Sequence, residues 1–183
     1  FDTPVSDNDI SASEVGVTGS AAVVNLNSIN TGGTTSYQWT NSAPSIGLPN
    51  GSGSNIPTFV ATNAGPVPVV ATITVTPTFT NAGISCLGTP IVFTITVNPK
   101  AQINAISSLV RCNGNTIATI PFGTTNTGGI TTYEWTNTIP SIGLPDHGLT
   151  NYIPTFTATN TGTVPLVATI TVTPTYTNAG VSC

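Results

Sequence analysis

"VVATITVTPTFTN", residues 69–81, is an alternation. Val69, Ala71, Ile73 and Val75 form one phase, and Val70, Thr72, Thr74 and Thr76 the other. Successive side chains of an extended strand point to opposite faces, so a period of two sorts one phase into a core and the other toward solvent. The same words return 97 residues later as "LVATITVTPTYTN", residues 166–178, where Leu166, Ala168, Ile170 and Val172 are the inward set. Pro77 and Pro174 are expected to close these strands, at the place where a missing donor does least harm.

Working outward, "NTGGTTSYQWTNSAPSIGLP" (30–49) lies on "NTGGITTYEWTNTIPSIGLP" (126–145), so that Tyr37 matches Tyr133 and Trp39 matches Trp135. "IPTFVATNAG" (56–65) lies on "IPTFTATNTG" (153–162) after a one-residue slip in the loop between. Each copy therefore reads as short strands separated by Gly, Pro and Asn clusters, the pattern of an all-β sandwich. Two tandem domains follow, 1–99 and 100–183, and no stretch has helical periodicity. Tyr37, Trp39, Tyr133 and Trp135 are expected on central strands as core aromatics, the two tryptophans in preference to a role as sugar-stacking platforms.

Charged residues make up 4% of the chain, against about 25% in ordinary proteins. The surface must therefore be carried by Thr, Ser, Asn and Gly. Lys100 and Arg111 are the only Lys or Arg residues and the net charge is −4, which argues against nucleic acid or anionic membrane as partners. No apolar run reaches the length of a membrane span. No signal peptide is read at Phe1, which is taken as a mature or arbitrary start. The scarcity of trypsin sites and the threonine-rich surface suit life outside a cell.

The strings "YEWTN", "PSIGLP", "IPTFTATN" and "VATITVTPTYTNAGVSC", with "FTITVNP" of the first copy, resemble the PKD-like repeats of large secreted surface proteins of Bacteroidetes, including gliding and adhesion proteins. The resemblance covers both copies almost end to end. It implies immunoglobulin-like sandwiches exported to the cell surface, often in long tandem arrays. The acidic "WDFGDG" signature of other PKD domains is absent, since Trp39 and Trp135 are each followed by Thr.

Three cysteines cannot all pair within one chain. Cys112 opens the second copy and Cys183 closes it, and a disulfide between them is expected. Cys86 matches Cys183, but Gly16 stands where the first copy would need its partner. Cys86 is left as a buried thiol or as a bond to another subunit.

The first copy continues past Cys86 into "LGTPIVFTITVNPK" (87–100), a strand with Ile91, Phe93, Ile95 and Val97 on one face. The second copy has no counterpart of it within the sequence. Burial of each such side chain contributes about 1.5–3 kcal/mol, so something is expected to fill the place, either a continuation of the chain or a strand from a neighbouring subunit. Partners are therefore other copies of the chain, head to tail, or further repeats.

Other sites are sparse. Asp2, Asp7, Asp9 and Glu14 are the weak candidates for calcium, which seeks several oxygen ligands, although their spacing fits no established loop. His147 beside Asp146 is read as a solvated loop, because sequence neighbours are not expected to face each other as a catalytic triad requires. Glu134 is Gln38 in the first copy, and Lys100 lies between the domains, away from any isopeptide partner. Thr72, Thr74 and Thr76, with Thr169, Thr171 and Thr173, read either as a soluble charge-free face or as acceptors for O-linked sugars. A flat crystal-binding array is poorly served by a twisted sheet. Asn50 in "NGS" is the candidate for N-glycosylation.

The expectation from the sequence is a non-enzymatic structural protein without cofactor, part of an extracellular bacterial fibre or a long cell-surface adhesin. The alternative is a glycan-binding module that uses the loops at 49–55 and 146–152.

Overall fold

The computed structural model describes residues 24–183. The chain divides into two compact units, Phe1–Pro99 and Lys100–Cys183, and its regular structure is all β apart from two single 3-10 turns, Pro44–Ile46 and Pro140–Ile142. The acidic candidates Asp2, Asp7, Asp9 and Glu14 lie outside the described residues, as does Gly16.

In the first unit, β1 (Val24–Asn25) pairs with β4 (Asn55–Ile56). The main sheet runs β3 (Gly51–Gly53), β2 (Thr34–Asn41), β5 (Val69–Asn81), all antiparallel. On the outer edge of β5 lie two strands in succession, β6 (Ile84–Leu87) against residues 78–81 and β7 (Ile91–Val97) against residues 69–75. The second unit carries β8 (Thr116–Ile117) paired with β13 (Phe156–Thr157), and β9 (Ile120–Pro121) paired with β12 (Tyr152–Ile153). Its main sheet is β11 (His147–Gly148), β10 (Ile130–Asn137), β14 (Ile170–Asn178), β15 (Val181–Ser182).

The hairpin at the end of β5 turns on Ala82 and Gly83, with φ of 49° and 79°, and the one at the end of β14 on Ala179 and Gly180, with φ of 48° and 80°. Two central residues of positive φ give the turn whose twist matches antiparallel strands, which fixes the return strand in register. Asn81 thus faces Ile84, and Asn178 faces Val181.

The prolines do not close their strands. Pro77 and Pro174 sit inside β5 and β14, opposite Tyr37 and Tyr133. The carbonyl of Pro77 points to the outer edge, where it accepts a 2.8 Å bond from the Gly88 amide. Its donor-less nitrogen therefore faces the gap between β6 and β7, where the ladder is already interrupted.

The core of the first unit gathers Leu26, Tyr37, Trp39, Ile46, Leu48, Ile56, Ala71, Ile73 and Val75, closed from one side by Ile95 and Val97 of β7. Trp135, Leu144 and Ile153 make the corresponding centre of the second unit, with Ile170 and Val172 only half-buried around it. Both tryptophans are enclosed, and each indole N–H is satisfied, Trp39 by the Pro49 carbonyl and Trp135 by the Thr150 hydroxyl, both at 3.1 Å.

Candidate functional site

The two units differ most along the outer edge of one strand. In the first unit Ala71, Ile73 and Val75 are closed off by β7, whose Ile95 and Val97 are buried and whose Ile91 and Phe93 are half-buried. Their counterparts in the second unit are Ala168, Ile170 and Val172, all half-buried, and Leu166 is 40% exposed. β5 starts at Val69, whereas β14 starts only at Ile170. The reason lies in the pairing: residues 69–72 have β7 as their only ladder partner, because β2 begins its pairing at Ile73. Without such a partner, residues 166–169 do not form strand. Among the described residues, β14 has no ladder partner on that edge beyond β15, whereas β5 has β7 there.

The threonine rows report the same difference. Thr72, Thr74 and Thr76 are half-buried between flanking strands, while Thr169, Thr171 and Thr173 are exposed. Asn50 is exposed, but its side chain helps to hold the loop in place, since its Oδ1 accepts a 2.7 Å bond from the Asn41 amide. In the second unit the Asn137 amide bonds instead to the Asp146 carbonyl, also at 2.7 Å. Asp146, which follows Pro145 as Asn50 follows Pro49, thus supplies by backbone what Asn50 supplies by side chain.

Asp146 and His147 do face each other, contrary to the reading of the sequence. Nδ1 of His147 lies 2.8 Å from Oδ1 of Asp146, and both side chains are about two-thirds exposed. Leu149 and Tyr152 are exposed in the same loop. Among the described residues no group of three or more His, Cys, Asp or Glu is placed to hold a metal ion. Glu134 and Gln38 are both exposed on their strands, opposite Thr173 and Thr76.

The expected Cys112–Cys183 disulfide is not formed, and Cys86, Cys112 and Cys183 are all free thiols. Cys183 bonds through its backbone to Tyr176, which pairs with Thr131 near the start of β10. Cys112 sits in a turn tied to Ala158, next to the Thr159–Ile142 bond beyond the far end of β10. Eight residues of strand separate those ends, roughly 20 Å or more, whereas a disulfide needs Cα atoms within about 7 Å. Cys86 is exposed on β6, which removes the reading of a buried thiol.

Three pairs of polar residues were not singled out in the sequence. Asn41 and Asn137 are buried, and each uses Oδ1 to accept the amide two residues on and Nδ2 to hold a loop carbonyl, that of Leu48 or Leu144. The Ser42 hydroxyl accepts from the Thr72 amide of β5, and the Thr138 hydroxyl from the Thr169 amide just before β14. Asn63 and Asn160 fold their own loops around themselves in the same way. The signal was the identity of "WTN" and "ATN" in both copies, which periodicity does not weigh.

Comparison with protein-family models and with curated proteins gives no match for this chain. No described helix is long and apolar enough to cross a membrane.

Proposed function

We propose that the chain is a structural part of an extracellular bacterial fibre or long cell-surface adhesin, built from immunoglobulin-like, PKD-like sandwich repeats set end to end. One observation carries this reading: the same scaffold occurs twice in tandem, with the same buried asparagines, Asn41 and Asn137, and the same hairpin turns at Ala82–Gly83 and Ala179–Gly180. A compact unit copied this closely within one chain suits an array of such units. Thr169, Thr171 and Thr173, exposed in a row, suit O-linked sugars that would hydrate a surface with few charges.

The test is the intact mass of the native protein under reducing, denaturing conditions, together with its location on the cell. A surface-exposed product, either a glycosylated chain of about this size that polymerises or a far longer chain of such repeats, is the expected result. An intracellular monomer would refute the reading.

A second reading, a glycan-binding module, draws on the exposed Asp146–His147 pair with Leu149 and Tyr152 in one loop. It predicts that Asp146→Ala and Tyr152→Ala abolish glycan binding while assembly is unchanged.

A further inference from the structure

We infer that the buried side chain of Asn126 is a clamp on residues 100–104, the segment that leads into the second unit, and that a pull arriving along the chain is borne there before it reaches a strand. The pull rests on the fibre reading; the clamp does not.

Residues 100–104 belong to no strand, and the first strand of the unit, β8, begins only at Thr116. The segment is nonetheless fastened at every second residue. Nδ2 of Asn126 donates to the Lys100 carbonyl at 3.1 Å, and its Oδ1 accepts from the Gln102 amide at 2.7 Å. The Asn104 amide donates to the Gly123 carbonyl at 2.8 Å, and the Thr125 hydroxyl donates to Oε1 of Gln102 at 2.7 Å. The carbonyl of one residue and the amide two residues on are the groups that a strand lying parallel would engage. A side-chain amide carries both donor and acceptor, so Asn126 takes the place of such a strand with a single residue. A pull on Lys100 must break the bonds of Asn126, and then that of Asn104, before it loads β8.

The clamp is itself held in place. Asn126 is buried, and the Thr124 hydroxyl donates to its Oδ1 at 3.1 Å while accepting from its backbone amide at 3.0 Å. Gly123 lets the segment lie close, since a methyl group there would meet Nδ2 of Asn104 at 2.8 Å. In the first unit the Asn30 amide likewise donates to the Ser28 hydroxyl, at 3.1 Å, and the segment that a clamp would hold there lies outside the described residues. The first unit also fastens its last strand with an asparagine: Nδ2 of Asn63 donates to the carbonyl of Val97, the end of β7, at 2.8 Å.

The test pulls the full chain of 183 residues in an optical trap, as wild type, Asn126→Ala and Gln102→Pro. Gln102→Pro removes the amide that Asn126 receives, yet it changes an exposed residue outside any strand, so the test survives if Asn126→Ala fails to fold. Pulled from the chain ends, one of the two unfolding events should occur about tenfold faster at a given load in either variant, the share of one or two hydrogen bonds. The other event should stay where it is. Handles on the free thiols of Cys112 and Cys183, in a Cys86→Ser background, bypass residues 100–104, and there both variants should leave the rate nearly unchanged. Hydrogen exchange of the Gln102 amide should rise about tenfold in Asn126→Ala. Unfolding that ignores both variants, equal weakening in both pulling directions, or unaltered exchange at Gln102 would overturn the proposal. Faster exchange in a chain that proves to be an intracellular monomer would sink the fibre reading and leave the clamp standing. A surface fibre whose unfolding ignores both variants would do the reverse.

Discussion

The hydroxyl of Tyr176 donates to the carbonyl of Thr127 at 3.0 Å, tying the fully buried ring at the end of the long strand to the turn that precedes β10. Its counterpart in the first unit is Phe79, which has no hydroxyl to do this. Burial raises the phenol above its ordinary value, and the charge of Cys183 adds to the shift. A raised folded value means that the contribution to stability is complete below the ordinary pKa of about 10 and is lost as pH rises through the raised one. Tyr176→Phe should therefore flatten the alkaline loss of stability in the second unit, while costing about 0.5–1.5 kcal/mol at neutral pH for the missing bond. Urea unfolding at pH 7 and above pH 10 checks both parts.

Each unit holds a single tryptophan, Trp39 or Trp135, so each core reports on itself. Among the described residues, the core of the second unit has no counterpart of Ile95 and Val97, whose burial contributes about 1.5–3 kcal/mol for each side chain in the first. In a Trp39→Phe variant the Trp135 fluorescence should change at lower denaturant than Trp39 does in a Trp135→Phe variant. Coincident transitions would contradict this ordering.

Asn137 is buried and satisfies both a loop carbonyl, Leu144, and an amide, Ile139, with one side chain. Asn137→Leu fills a similar volume but leaves those backbone groups without their partner. The expected cost is about 1–3 kcal/mol, read from thermal or denaturant unfolding. Asn41→Leu should behave alike in the first unit.

Gly148 lies against the Trp135 indole, and a methyl group there would collide with the ring. Gly148→Ala should force the indole out of place, costing about 1–3 kcal/mol and shifting Trp135 emission to the red. Gly51 stands in the same relation to Trp39 and predicts the same result in the first unit.

Alkylation of the unfolded protein without reductant should modify Cys86, Cys112 and Cys183 alike, because none is paired in the structure. Peptide mapping that finds Cys112 joined to Cys183 would require a different arrangement of the second unit.

The strand content, the inward phase of residues 69–75 and the burial of the tryptophans were legible because each depends on local alternation. What the sequence hid depends on tertiary partners. Pro77 looked like a strand end because proline breaks a ladder, yet the ladder on that side is broken anyway between β6 and β7. Cys112 and Cys183 looked like partners because both bracket a repeat, but β10 holds them at opposite ends. Asp146 and His147 meet although they are neighbours in the sequence, a side-chain contact that spacing alone does not carry. The differing environments of β5 and β14 followed from the presence of β7, which could be read from the repeat, whereas the role of Asn63 at the end of that strand could not.

Among the described residues the one contact between an acidic and a basic side chain is the exposed Asp146–His147 hydrogen bond. Loops and strand ends are fastened instead by Asn, Ser and Thr side chains bonded to backbone, as at Asn41, Asn63, Ser42 and Thr138. Such bonds are short-ranged and neutral, so dissolved salt has almost nothing to screen. The fold should hold equally well in dilute and in concentrated brine, a tolerance that a surface stitched together by lysine and glutamate would not share.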